Sequence, residues 1–377
     1  MKKLFIVLLL SLIFIPRVYA YTEDSLIMNA RNGILIEVST GEILYEKNKD
    51  ERVAVASLTK MMVQIIVLEK IEDGSIKWSD VVTASKNASG MGGTQIWLAT
   101  GEKMSVRDLF KGMSIVSAND ATVALAEYVA GSEEKFVEIM NKKVNELGLK
   151  NTVFKNVTGL DEDGHYSSAY DLSVIARELM KHEEVFEFTS SYESYIRENT
   201  PNKYWLVNTN KLVRFYEGTD GLKTGFTDNA GYSMAVTTKR DNMRLLAVVL
   251  GEKEGKVRNS ETMELLDFGF QNYKVDTLKK KGDIVNYLDL DKANKKAPVV
   301  LKNDLTVLSK KTDKSLDYDF KINMDNNKLP IKRNSVVGKI SLVNDNRIVK
   351  SEDLIVNEDI YKIGYFSYIL DTLISLF

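Results

Sequence analysis

Three short stretches carry residue types that could do covalent chemistry together. The first is Ser57-Leu58-Thr59-Lys60. At a helix start, residues three apart share a face, so the Ser57 hydroxyl and the Lys60 amine can touch. A serine hydroxyl is a poor nucleophile until a neighbour takes its proton. A lysine can take it only when neutral, which requires burial or a nearby cation. The run SLTKMMVQIIVLEKI at 57–71 is apolar on nearly all sides, so it predicts a buried helix and supplies that burial. Alone, Ser-x-x-Lys is a frequent coincidence in soluble helices.

The second stretch is Ser117-Ala118-Asn119, just before a helical pattern. Its hydroxyl and amide could bridge Lys60 to a leaving group and hold a substrate amide, although a plain N-cap would explain them as well. The third is Lys223-Thr224-Gly225. A cation and a hydroxyl on a strand edge suit a substrate carboxylate, and glycine lets the backbone approach closely. A strand ending in a turn accounts for it equally.

The elements that must hold these residues are legible. Residues 31–47 read as a β-hairpin around Ser39-Thr40-Gly41, and 231–250 as two strands with a turn at 239–242. Between them lie helical patterns near 57–71, 118–130, 133–147 and 168–181. Asn119-Asp120 and Ser167-Ser168 are expected to cap two of these, and a last helix is predicted near 258–271. Strands at both ends with helices between imply one α/β domain whose antiparallel sheet joins distant parts of the chain. Composition shifts near 276. Alternation of Leu316, Tyr318, Phe320, Ile322 and Met324 with polar residues predicts a half-buried strand. Val336 to Ile340 looks like another, so 276–356 reads as a small all-β domain.

The ends read differently. Lys2 and Lys3, an apolar run from Leu4 to Ile15, and Val18-Tyr19-Ala20 have the layout of a secretory signal over 1–20. Its removal takes three basic residues and leaves 48 basic against 53 acidic, a net charge of −5. That balance argues against nucleic-acid binding. With no cysteine, an exported chain holds no disulfide and must fold on its core alone. The segment 357–377 is strongly apolar, with Ser367, Asp371 and Ser375 four apart, which predicts an amphipathic tail lying on a membrane surface. Only two histidines, His165 and His182, are present, and no Gly-x-Ser-x-Gly surrounds a serine, so a Ser-His-Asp hydrolase is excluded. Neither histidine has a metal-ligand partner at helical spacing, so no metal is expected, and no cofactor either.

Taken together, the three stretches are separated by about 60 and then about 100 residues. In that order they resemble the signature of penicillin-binding proteins and class A β-lactamases. From about 24 to 275 the sequence is similar to D-alanyl-D-alanine carboxypeptidases of the low-molecular-mass penicillin-binding type. The likeness extends to Gly92-Gly93-Thr94, Leu98, Gly101-Glu102, Thr158-Gly159-Leu160, Ser167 to Asp171, and Thr227 to Tyr232. It implies a β-lactamase/transpeptidase-like α/β catalytic domain over 21–275, followed by the small all-β domain. It also implies roles. Ser57 attacks the carbonyl between two D-alanines with Lys60 as base, and Ser117, Asn119 and Lys223 form a proton and hydrogen-bond network. Thr224 meets the terminal carboxylate, and the Ser57 and Phe226 N–H groups form an oxyanion hole beside Gly225. Arg258 assists carboxylate binding, for which a solvated charge at a helix start is the plain alternative. The implied partners are peptidoglycan stem peptides ending in D-Ala-D-Ala, β-lactams as covalent inhibitors, and a membrane surface, at the outer face of the cytoplasmic membrane. A D,D-endopeptidase or transpeptidase of the same fold is an alternative. A class A-like β-lactamase fits less well, because residues 151–160, NTVFKNVTGL, hold no acid to activate a deacylating water.

Overall fold

The computed structural model describes residues 26–313, 318–345 and 347–364. The expected signal segment and residues 365–377 of the expected tail lie outside them, as does Leu316. The described chain divides into two compact units. One comprises residues up to 35, 45–236 and 247–268, and the other 36–44, 237–246 and 269 onward. The division is therefore not the single cut expected at 275/276, because two sheet turns group with the C-terminal part.

In the first unit the central element is helix α1 (Lys60–Glu72), in which every residue from Lys60 to Leu68 is buried. It packs against α2 (Asn119–Ala130), α3 (Glu133–Glu146), α4 (Ala169–Leu179) and strand β5 (Thr219–Gly225). An all-round apolar sequence is stable as a helix only in such a position. Shortening one of its side chains, as in Ile65→Ala, would cost about 2–5 kcal/mol. Before β5 comes a two-stranded hairpin, β3 (Glu193–Ile196) and β4 (Tyr204–Val207). After β5 follow β6 (Tyr232–Arg240), β7 (Met243–Glu252) and helix α5 (Gly255–Asn272). With β1 (Asn32–Glu37) and β2 (Ile43–Lys47) the main sheet runs β2-β1-β7-β6-β5, which leaves β5 at an edge.

The caps divide. Ser132 and Ser168 accept from the Lys135 and Asp171 N–H groups, as N-cap serines do. The expected cap at Asn119-Asp120 does not form. The cap residue of α2 is Ala118, without a side-chain bond. The Asp120 carboxylate instead accepts from the N–H groups of Ile96 and Leu98.

In the second unit a sheet of β9 (Ile284–Leu288), β10 (Ala297–Leu301), β14 (Arg347–Val356), β13 (Val336–Asn344) and β12 (Asp319–Met324) forms in that order. Beside it β8 (Tyr273–Lys279) pairs with β11 (Leu305–Lys310). The turn at Ser39 belongs here through its hydroxyl, 3.2 Å from that of Thr306. Two expectations change. The apolar side chains Phe320 and Ile322 of β12 stay 45% and 37% exposed, because β12 is an edge strand. Residues 357–364 are not tail: Ile360 bridges Ile331 and is buried in the core of this unit. No helix among the described residues is long and apolar enough to cross a membrane.

Candidate active site

Ser57 sits in a tight turn, Ala56–Thr59, that leads directly into α1. Ala56, just before it, has φ +48°, a left-handed conformation that costs a non-glycine residue about 1–2 kcal/mol. Two glycines clamp this turn. A Cβ on Gly159 would lie 1.9 Å from the Ala56 carbonyl oxygen, and one on Gly225 would lie 3.1 Å from the Ser57 nitrogen. The 159 loop can therefore close on the nucleophile only because Gly159 bears no side chain, while a Cβ on Gly225 would crowd the turn more mildly.

Lys60 is wholly buried, and its Nζ lies 2.9 Å from Ser57 Oγ. It donates to the Thr158 carbonyl at 2.6 Å. Burial, and then the nearby positive charge of Lys223, push its pKa well below that of a free lysine. A neutral amine that spends one N–H on a fixed carbonyl has its lone pair available to the Ser57 hydroxyl. The Thr158 carbonyl is itself fixed, since Asn156 Oδ1 accepts from the N–H groups of both Thr158 and Gly159.

Behind the turn His165 is buried against Thr59. Its Nδ1 accepts from the Lys155 N–H, so its proton is on Nε2 and is donated to Thr59 Oγ1 at 2.8 Å. Burial lowers its pKa to about 4, so it is a neutral structural strut.

Lys223 is also buried, with its Nζ donating to the Thr224 carbonyl. Burial and then Arg258 lower its pKa to about 7. The Thr224 hydroxyl donates to that of Thr209 at 2.7 Å. Arg258 is not a solvated charge: it is 7% exposed, bonds Asn259 Oδ1 and has its pKa lowered by burial to about 10. Neither Lys223 nor Arg258 has a carboxylate partner among the described residues, so the site offers a positive field suited to an incoming carboxylate. Phe226 is half exposed, with its ring 4.3 Å from that of Tyr232.

The second stretch departs from expectation. Ser117 follows a π-type turn, Gly112–Val116, at φ +68°. Its Oγ is buried without a hydrogen-bond partner, so the expected bridge from Ser117 to Lys60 is not made. A buried orphan hydroxyl costs about 1–3 kcal/mol and is tolerated where a ligand or water completes it. Asn119 donates its Nδ2 to the Gly92 carbonyl, and its backbone N–H to that of Thr94. Its amide is thus partly spent on holding the 92–94 loop.

A serine, a buried amine in contact with it, and an uncompensated cationic field define an acyl-transfer site for substrates ending in a carboxylate. Comparison with known proteins agrees. A family model described as D-alanyl-D-alanine carboxypeptidase matches residues 20–254. The chain belongs to the D-alanyl-D-alanine carboxypeptidase family. A second model, for the C-terminal domain of penicillin-binding protein 5, matches residues 273–362, which takes in Ile360. The chain is 42% identical to the D-alanyl-D-alanine carboxypeptidase DacF of Bacillus subtilis, over 99% of this chain and 98% of that protein. Penicillin binding protein 5 from Haemophilus influenzae has a similar structure, with 31% identity and a TM-score of 0.73 over 91% of this chain and all of that one. Penicillin-binding protein D2 from Listeria monocytogenes, solved in its ampicillin-bound form, covers 67% of this chain at 32% identity and a TM-score of 0.58.

Sequence reading reached the three motifs of the carboxypeptidase family and missed what positions them. Asn156, the Thr158 carbonyl, the Thr59–His165 pair and Thr209 carry no motif of their own. Thr158-Gly159 entered only as part of the family likeness, and Asn156-Val157-Thr158-Gly159, an asparagine followed by a glycine at turn spacing, was a further signal.

Proposed function

We propose that this chain is a serine-type D-Ala-D-Ala carboxypeptidase that removes the terminal D-alanine of peptidoglycan pentapeptides through an acyl-enzyme at Ser57. The observation that carries the reading is the buried Lys60 amine, 2.9 Å from Ser57 Oγ and held by Thr158. Lys60 takes the Ser57 proton as Oγ attacks the penultimate carbonyl. The oxyanion forms between the Ser57 and Phe226 N–H groups, each donor worth about 3–4 kcal/mol. The proton then passes by way of the Ser117 hydroxyl to the departing amine. Water, deprotonated by Lys60, attacks the ester and returns Ser57. Lys223, Thr224 and Arg258 receive the terminal carboxylate, Gly225 admits the peptide backbone, and Asn119 orients the substrate amide. β-Lactams acylate the same serine. The nearest acids of the 161–163 loop do not suggest a β-lactamase: Asp161 accepts from Thr227 Oγ1 and Glu162 from Asn156.

The test is D-alanine release from a pentapeptide, compared with hydrolysis of a cross-linked dimer, alongside the mass shift on adding penicillin. Release with acylation, both lost in Ser57→Ala, is expected. Acylation that persists in Ser57→Ala overturns the assignment, and faster cleavage of the dimer favours an endopeptidase.

For placement, we propose export by the 1–20 signal and attachment to the outer membrane face through the C-terminal segment. Support lies in the sequence, where Asp371 within an apolar run disfavours full insertion. Because Ile360 belongs to the core of the β unit, the clean deletion begins at 365. It should release the enzyme from membranes with penicillin binding intact. Full-length protein that ignores liposomes overturns the anchor.

A further inference from the structure

Trp97 is the most conspicuous surface residue near the site. It is 68% exposed at φ +60°, a conformation rare for bulky residues. A buried carboxylate and a half-buried guanidinium hold it there from both sides. The Asp120 carboxylate takes the N–H groups of Ile96 and Leu98. The Arg197 guanidinium takes the carbonyls of Ile96 and Trp97, and is locked in turn by Glu102. Strain maintained by a buried carboxylate and an ion-paired guanidinium to present one indole to solvent marks a functional position.

Arg197 also links Trp97 to the β3–β4 hairpin. There Tyr195 and Trp205 are directly paired across the strands, so they share a face, and they are 39% and 56% exposed. Trp205 is held by its indole N–H on Glu193, and the Lys203 ammonium lies 4.0 Å over the Tyr195 ring. The hairpin is continuous with the catalytic groove. After β4 the chain passes through Asn208 to Thr209, whose N–H bonds the Ile115 carbonyl near Ser117 and whose hydroxyl meets Thr224. Loop 92–98 reaches the same groove through Asn119.

We propose that Trp97, Tyr195 and Trp205 form an aromatic platform for the amino-sugar strand that carries the stem peptide. The inference rests on the reading of the substrate as a wall peptide, which in the polymer is covalently joined to that strand. Flat, solvent-facing rings, one of them fixed at its polar edge by Glu193, suit the apolar face of a pyranose ring. A peptide whose end is at Ser57 and Thr224 leads its sugar out of the groove, and the platform flanks that groove.

The experiment is calorimetric titration of the full-length protein, acylated at Ser57 with penicillin, with a peptide-free β-1,4-linked N-acetylglucosamine hexasaccharide. Saturable binding is expected. Trp97→Ala and Trp205→Ala should each weaken it about two- to tenfold, and the pair should abolish it. Trp97→Phe should restore most of the loss, which separates ring stacking from a disturbed loop, and Trp205 lies outside that loop altogether. No saturable heat at about millimolar ligand, undiminished binding in the double variant, or displacement by free pentapeptide each overturns the proposal. D-Alanine release from free pentapeptide is measured on the same preparation. Release without sugar binding removes only the platform, whereas absent release removes the carboxypeptidase reading.

Discussion

Replacing Gly159 by alanine should disable the site through a single methyl group. The new Cβ would sit 1.9 Å from the Ala56 carbonyl oxygen, 2.3 Å from its carbon and 2.9 Å from Thr59 Oγ1. Two of these contacts are to backbone, so no side chain can swing aside, and the loop must retreat by roughly 1 Å. Thr158 is the adjacent residue, and its carbonyl would move with the loop. The 2.6 Å bond from Lys60 would then stretch beyond useful hydrogen-bond length. A displacement of that size costs about 10²-fold in rate. Stability falls as well, by about 1–2 kcal/mol for a left-handed alanine and about 1–3 kcal/mol for overpacking. Gly131→Ala is the control: φ there is +85° and nothing lies within 4 Å of the new Cβ. It should show the first stability loss and acylate normally. The assay is the second-order acylation rate with fluorescent penicillin, with thermal unfolding alongside. If Gly159→Ala acylates within about threefold of wild type, where 10² is expected, the clamp does not position Lys60.

Further outcomes follow from the buried cations and from His165. Acylation should rise with pH to a plateau well below the roughly 10.4 of free lysine, and Lys60→Arg, which stays charged, should lose about 10²–10⁴ of the rate; an unmoved profile would point to another base. Lys223 titrates at about 7 and must be charged to hold a carboxylate, so kcat/KM for the peptide should fall as pH rises through that value. In kcat the limb should lie higher, because a bound carboxylate raises the Lys223 pKa; coincident limbs would deny the contact. His165 titrates at about 4 when folded and near 6.5 when unfolded, so the unfolded state binds more protons between those values. Stability is then full above about 6.5 and falls as pH drops, by about 2 kcal/mol between pH 7 and 5. Denaturant midpoints should record this loss and show it removed in His165→Gln; an equal loss in the variant would assign it elsewhere.

Local physics made much of the chain legible. A run such as MMVQIIVLEKI is stable as a buried helix, and at the start of such a helix residues three apart share a face, so Ser57 and Lys60 are pairable from the sequence alone. Ser168 caps its helix as its sequence suggests, because capping depends on residues within one turn. Asn119-Asp120 looked the same, but Asp120 bonds loop 96–98 instead. Local pattern cannot reveal a competing partner more than 20 residues away. The boundary near 276 was visible as a change of composition. The inclusion of 36–44 and 237–246 with the C-terminal unit was not, because it follows from contacts such as Ser39 with Thr306.

The sequence by itself carried the reaction class through the resemblance of its three stretches, in their order and spacing, to the penicillin-binding signature. It also determined that α1 is buried and that no disulfide or thiol takes part. Only the tertiary structure decided that the Lys60 pKa falls well below that of a free lysine, because that depends on full burial and on Lys223, far along the chain. It also decided that the amine rests on the Thr158 carbonyl, that Gly159 and Gly225 close on the Ser57 turn, and that Ser117 Oγ lacks a partner. It decided as well that Ile360 is core rather than tail. The physical reason is common to all of these. A covalent motif is a property of neighbours in the chain, whereas pKa, steric fit and burial are properties of neighbours in space.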